Sequence, residues 1–123
     1  MDSQIRREHQ EKIMEDLYTK HIETWGKVQR KGKKNPYTSH NGHMFTFFDT
    51  KENYMAVRLG KEEQEAYFDK TGTGPVIQYN SVMRGYIRLT DEIFKDYKQV
   101  EPWLEKSWKY INSLEPKPTT KKK

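Results

Sequence analysis

The sequence predicts an α+β fold, a small antiparallel sheet of about four to five strands flanked by helices, in the order α-β-β-α-β-β-α. Three observations predict it. The run His43-Met44-Phe45-Thr46-Phe47-Phe48, a polar break and a second run, Tyr54-Met55-Ala56-Val57-Arg58-Leu59, read as a β-hairpin. Such alternation, rich in aromatic and β-branched residues, belongs to paired strands. Apolar stripes at helical spacing stand at both ends of the chain. Short connections between the strands favour antiparallel pairing, and the helices must then cover a sheet face.

Residues 3–25 predict the first helix. Met14, Leu17, Tyr18, His21, Ile22 and Trp25 form one apolar stripe, extended less cleanly by Ile5, His9 and Ile13, and Gly26 suits the left-handed C-cap. A basic, polar loop of about 16 residues follows over 27–42, long for a compact domain, with Val28 able to begin a short strand. In the hairpin, Phe45 and Phe47 are expected on one face and Met44, Thr46 and Phe48 on the other. Met55, Val57 and Leu59 share a face opposite Tyr54, Ala56 and Arg58, the latter face being the wetter one. Residues 60–70 predict a short helix with Glu62 and Glu63 at its positive end and Leu59, Ala66 and Tyr67 inside. Thr71-Gly72-Thr73-Gly74-Pro75 ends it. Residues 76–79 and 82–89 predict a second β unit across an Asn80-Ser81 turn. Thr90 suits the N-cap of a helical turn through Phe94. In the last helix Pro102 suits the first turn, and Val100, Trp103, Leu104, Ser107, Trp108, Ile111 and Leu114 line the inner face.

These elements predict one domain over residues 1–115, with its N-terminal helix in 1–26, and a disordered basic tail over 116–123. Only 33% of the residues are hydrophobic, but a 13% aromatic share supplies large apolar areas, enough for a core. Cysteine is absent, which excludes disulfides, thiolate metal sites and a cysteine nucleophile. No apolar run is long enough to span a membrane, and the charged N-terminus lacks a signal-peptide core. A cytoplasmic protein with no membrane partner is expected. The formal charge is +5, three units of which sit on Lys121, Lys122 and Lys123.

No catalytic motif stands out, and no cofactor or metal is expected. His40 and His43 are three apart but lack a third ligand in sequence, so strand-start hydrogen bonding explains them more simply. The glycines at 72 and 74 have neither the Walker spacing nor the following Lys-Ser/Thr. Ser107, His43 and Asp49 are triad residue types, but Ser107 falls on a helix face rather than a nucleophile elbow. The consecutive helix carboxylates Glu62, Glu63 and Glu65 read as a solvated face. The best binding patch is the basic loop Arg30, Lys31, Lys33 and Lys34 with Tyr37, joined by Arg84, Tyr86 and Arg88 on one strand face. Cations interleaved with an aromatic suit phosphate contacts and base stacking. The simpler reading is a solvated loop and a charge-protected edge strand. His43 and Arg58 complete the candidate set, Arg58 as an ion-pair partner or anion ligand.

The string Asn41-Gly42-His43-Met44-Phe45, the strand Met55-Ala56-Val57-Arg58-Leu59, the Glu-rich helix, Tyr86 and the closing Ser107-Trp108-Lys109-Tyr110-Ile111-Asn112-Ser113-Leu114 together resemble the TfoX N-terminal domain family. The resemblance covers most of residues 14–114 and implies a small α+β domain. Some members carry a second, C-terminal domain and are linked to regulation of competence for DNA uptake; many stand alone. This chain has Thr46-Phe47 where the family usually has Gly-Gly, and that second domain is not expected in it. The family supplies no established catalytic residues.

The expectation is a non-enzymatic binding or regulatory module acting through contacts with a protein partner or a second copy of itself. The alternatives are a nucleic-acid-binding accessory protein using the basic loop and the Arg/Tyr strand face, and a small-ligand binder or enzyme with a site beside residues 37–43.

Overall fold

Helix α1 (Asp2–Trp25) opens the chain and stops where its sequence says, at Gly26, whose φ of 80° closes the last turn on Ile22. In this computed structural model residues 2–78 and 80–116 are described, with side chains from residue 13 onward. Residues 117–123 of the tail expected over 116–123, and the side chains of Ile5 and His9, lie outside the described residues. Tyr18, His21, Ile22 and Trp25 are buried, Met14 and Leu17 are half-buried, and Ile13 is exposed.

The fold is α+β. Strands β1 (Tyr37–His40), β2 (His43–Asp49), β3 (Tyr54–Arg58) and β6 (Tyr86–Arg88) form an antiparallel sheet in the order β1-β2-β3-β6. Helices α2 (Lys61–Thr71), α3 (Asp91–Phe94) and α4 (Tyr97–Asn112) follow their expected places. Two short strands, β4 (Ile77–Gln78) and β5 (Ser81–Val82), pair only with each other. The element order is therefore α-β-β-β-α-β-β-β-α-α.

Four expectations are corrected. The 27–42 loop contains strand structure. Lys31 pairs with Tyr37 through two backbone hydrogen bonds, and β1 then pairs with β2. Gly32 permits this: its φ is +81°, and a Cβ there would lie 2.1 Å from the Asn35 carbonyl oxygen. Second, residues 82–89 do not form one strand. Gly85 takes φ 93°, which breaks the run, so β5 stays with β4 while β6 joins β3. Third, α4 begins at Tyr97, capped by the Asp96 carboxylate on Lys98 N, so Pro102 is an interior residue. Fourth, Ala66 is exposed and Tyr67 alone of α2 is fully buried.

The faces of β2 also differ from strict alternation. Thr38 opposes Thr46 and Ser39 opposes Met44, so Phe45 is an extra residue, a β-bulge. Phe45 and Phe48 consequently both enter the main core with Trp25 and Trp108, while Phe47 points to the other face. The main core joins α1, α4 and α2 to one face of the sheet. The opposite face, expected to be wetter beyond β3, holds a second cluster: Phe47, Tyr54, Ala56, Tyr86 and Val76. The segment leading into the β4–β5 hairpin covers it. Among the described residues no helix is long and apolar enough to cross a membrane.

Candidate functional site

The second cluster does not close completely. Between the sheet face and the segment carrying β4 lies an open groove of about 910 Å³. Its apolar lining comes from Tyr37 of β1, Met44 and Phe47 of β2, Tyr54 of β3, and Pro75 and Val76. Polar groups rim it: Asp49, Lys51, Glu52, Gln78 and Arg88.

The β2–β3 turn sets the geometry. Asn53 takes a left-handed φ of 63° and closes the turn through its N–H on Asp49 O. The buried Asp49 carboxylate accepts from the Lys51 and Glu52 N–H groups on Oδ1, both at 2.8 Å, and from Gln78 Nε2 on Oδ2. One carboxylate thus organises the turn and ties the β4 segment to it. Tyr54, at the start of β3, has a hydroxyl closed off from solvent, with the Asp49 carboxylate as its polar neighbour. Burial first, then the negative charge of Asp49, pushes its pKa up to about 12, opposed by Arg88. The Arg88 guanidinium lies 4.4 Å from the Tyr54 ring centroid, a cation–π contact.

Of the residues singled out from sequence, Tyr37 and Arg88 line this groove. Tyr86 lies beneath it, buried with its ring against Phe47, and its hydroxyl donates to Met44 O. Burial raises its pKa to about 12. It is therefore not free to stack on a base between Arg84 and Arg88, both of which are exposed. Arg30 is not a free cation either. It donates to Glu15 at 3.0 Å and Thr19 at 2.7 Å on α1, and to the Gly32 and Lys33 carbonyls. Lys31 donates to Ser39 on the β1 edge; Lys33 and Lys34 are exposed. The loop lysines and Arg88 belong to opposite edges of the sheet: Lys31 pairs outside β1 and Arg88 lies on β6, roughly 19 Å apart at four strand spacings.

His43 and Arg58 gather at another place, the end of α4. His43 Nε2 donates to Glu115 O at 2.8 Å, which leaves Nδ1 to accept from Arg58 Nη1 at 3.4 Å. Arg58 also lies over the Tyr110 ring. Beside them Asn41 donates to the Ile111 and Leu114 carbonyls, satisfying acceptors that the helix leaves open. His40, the cross-strand neighbour of His43, stacks on Trp108 with ring centroids 4.1 Å apart. The β1–β2 turn is thus a latch on the helix C-terminus.

The triad residue types do not converge. His43 and Asp49 end opposite tips of β2, roughly 20 Å apart at 3.3 Å per residue. Ser107 is buried in α4 with its hydroxyl towards Phe45 O. Among the described residues no group of three or more His, Cys, Asp or Glu side chains gathers. Gly72, at φ 76°, is the C-cap of α2, bonded to Phe68 O.

Sequence reasoning missed Asp49, Tyr54 and Gln78 as groove residues. The signal was present for Asp49, since an Asp two residues before a backbone N–H commonly caps a turn. The position of Gln78 depends on tertiary placement alone.

Compared with known proteins, the chain matches no family model, no curated protein and no solved structure.

Proposed function

We propose that this protein is a non-enzymatic ligand-binding module whose ligand occupies the groove between the sheet and the β4 segment. The observation that carries the reading is the groove itself: about 910 Å³, lined by apolar and polar side chains, of which Asp49 and Gln78 are held by hydrogen bonds. Two of the groups elsewhere that could perform chemistry have structural partners. His43 holds Glu115, and Ser107 packs on β2. The resemblance to TfoX N-terminal domains adds a regulatory role, in which protein contacts read the filled groove. Ile77 supports that addition. It lines the groove and, with its cross-strand partner Val82, is among the exposed large apolar residues.

Amide chemical-shift mapping with a set of aromatic acids, amides and alcohols tests the reading. Bound compounds are expected to move the amides of Phe47, Tyr54, Val76 and Arg88. No shifts, or shifts confined to the α1–α4 side, would reject it.

A further inference from the structure

We infer that a corner of two tryptophans on the α1–α4 side binds a quaternary ammonium group, and that the Lys27 side chain holds this corner in the free chain as a tethered stand-in. The corner lies across the sheet from the groove, and the inference does not depend on the groove.

The walls are set by contacts other than those of Lys27. Trp25 ends α1 and Trp108 stands on α4, their ring planes at 87° and their centroids 5.4 Å apart. The Phe45 ring lies 5.9 Å from each of them, and His40 stacks on Trp108 at 4.1 Å. Trp25 Nε1–H donates to Glu105 Oε2 at 2.7 Å, which fixes the indole and the carboxylate together. That bond first, and the one from Lys27 second, hold the Glu105 pKa below its ordinary value, so the carboxylate is charged at neutral pH. Two indoles at a right angle with a carboxylate beside them form an aromatic cage for a cation.

The position of Lys27 shows what the corner accepts. Its Nζ lies 5.5 Å from the Trp25 ring centroid, 5.6 Å from the Trp108 ring centroid and 3.0 Å from Glu105 Oε1. This hold is weak. The Lys27 and Glu105 side chains are 40% and 45% exposed, and an exposed ion pair contributes roughly fivefold at most to an equilibrium constant. A primary ammonium is also strongly hydrated, so water takes it back readily. When Lys27 swings out its charge leaves with it, and an incoming cation meets the Glu105 carboxylate. A quaternary ammonium suits the corner better than a second amine. It spreads its charge over methyl groups that lie against the indole faces, and it brings no N–H donors, for which Glu105 keeps only Oε1. An anion would face Glu105, and an uncharged group forgoes the attraction of both rings and the carboxylate.

Choline and its uncharged carbon isostere 3,3-dimethyl-1-butanol test this on the full chain, read by the indole Nε1–H signals. Trp103, which lies against Tyr67, serves as the internal control. Choline is expected to shift Trp25 and Trp108 and to bind roughly tenfold more tightly than the alcohol, as attraction to two rings implies. Lys27→Ala removes the tethered cation and is expected to tighten choline roughly fivefold. Glu105→Gln keeps an acceptor for Trp25 and is expected to weaken choline severalfold while leaving the alcohol unchanged. Both substituted side chains are 40% or more exposed, so the variants are expected to fold, and amide dispersion checks that. The amide of Nα-acetyl-trimethyllysine carries the same group on a protein side chain. Tighter binding of that compound than of choline assigns the ligand to a modified protein, the reverse to a small molecule, and either supports the site. Equal affinity for choline and the alcohol, choline binding that Lys27→Ala does not tighten, or no indole shift in the Lys27→Ala protein overturns the inference.

Discussion

Thr46 joins Tyr18 to Thr38. Its Oγ1 lies 2.7 Å from the Tyr18 hydroxyl and 2.7 Å from Thr38 Oγ1, so one buried hydroxyl ties α1, β2 and β1 together. The Phe45 bulge makes this possible. Without the extra residue, strict alternation would place Thr46 on the face opposite Phe45. Burial raises the Tyr18 pKa, so its hydroxyl stays protonated and the chain of hydroxyls is uncharged.

The two ends of that chain should respond unequally. Thr46→Val leaves two buried hydroxyls without their shared partner and is expected to cost about 2–4 kcal/mol, at 1–2 for each orphan. Tyr18→Phe removes one end and leaves Thr46 bonded to Thr38, for about 1 kcal/mol. Urea unfolding of both variants checks the order. Equal costs would mean that Thr46 does not hold both partners.

Arg30 and the lysines beside it also divide. Arg30 and Glu15 are three-quarters or more buried as side chains, and Arg30 further holds Thr19 and two loop carbonyls. Arg30→Met keeps the aliphatic stem but leaves Glu15 unpaired, and is expected to cost about 1–3 kcal/mol. Lys33→Ala with Lys34→Ala, both exposed, should stay within about 0.5 kcal/mol. Thermal unfolding distinguishes the two outcomes.

His21 makes stability depend on pH. Its Nε2 meets Phe94 O at 2.7 Å, and the ring packs edge-on against Phe94 and beside Tyr97. Burial lowers its pKa below 6.5; Lys20 adds to that, while the Phe94 carbonyl and Asp96 oppose it. The unfolded chain therefore binds the proton more readily than the folded one. The contribution is intact above pH 6.5 and is lost as pH falls below it, by at most about 1.4 kcal/mol per pH unit. His21→Gln should flatten that slope. A slope below pH 6.5 unchanged by the substitution would assign the effect to other groups.

How much of this was legible in the sequence varies with the kind of constraint. The inner stripes of α1 and α4 follow from period alone, as does the inward set Met55, Val57 and Leu59. The Thr90 cap on Ile93 N follows from residue chemistry. Strand β1 was hidden because Tyr37-Thr38-Ser39-His40 is a polar edge in which only Thr38 is buried. The bulge at Phe45 was hidden because it is fixed by the pairing register with β1, which no local pattern encodes. The groove was half legible. Tyr37 and Arg88 were singled out for their chemistry, but their company, Asp49 and Gln78, arises only when the β4 segment folds across the sheet.

Two buried tyrosines should behave in opposite ways when their hydroxyls are removed. Tyr67 donates to Arg88 O at 2.6 Å and accepts from Thr90 N at 3.0 Å, covering the open edge of β6. Tyr67→Phe leaves both backbone groups without that partner and is expected to cost about 1–3 kcal/mol. Tyr54 has no such bonds to lose. Tyr54→Phe removes an unpaired buried hydroxyl, so stability is expected to hold or rise by up to about 1 kcal/mol. Chemical denaturation of both variants separates the cases. A Tyr54→Phe protein that loses as much stability as Tyr67→Phe would mean that the Tyr54 hydroxyl has a partner within the fold, the Asp49 carboxylate being the nearest candidate.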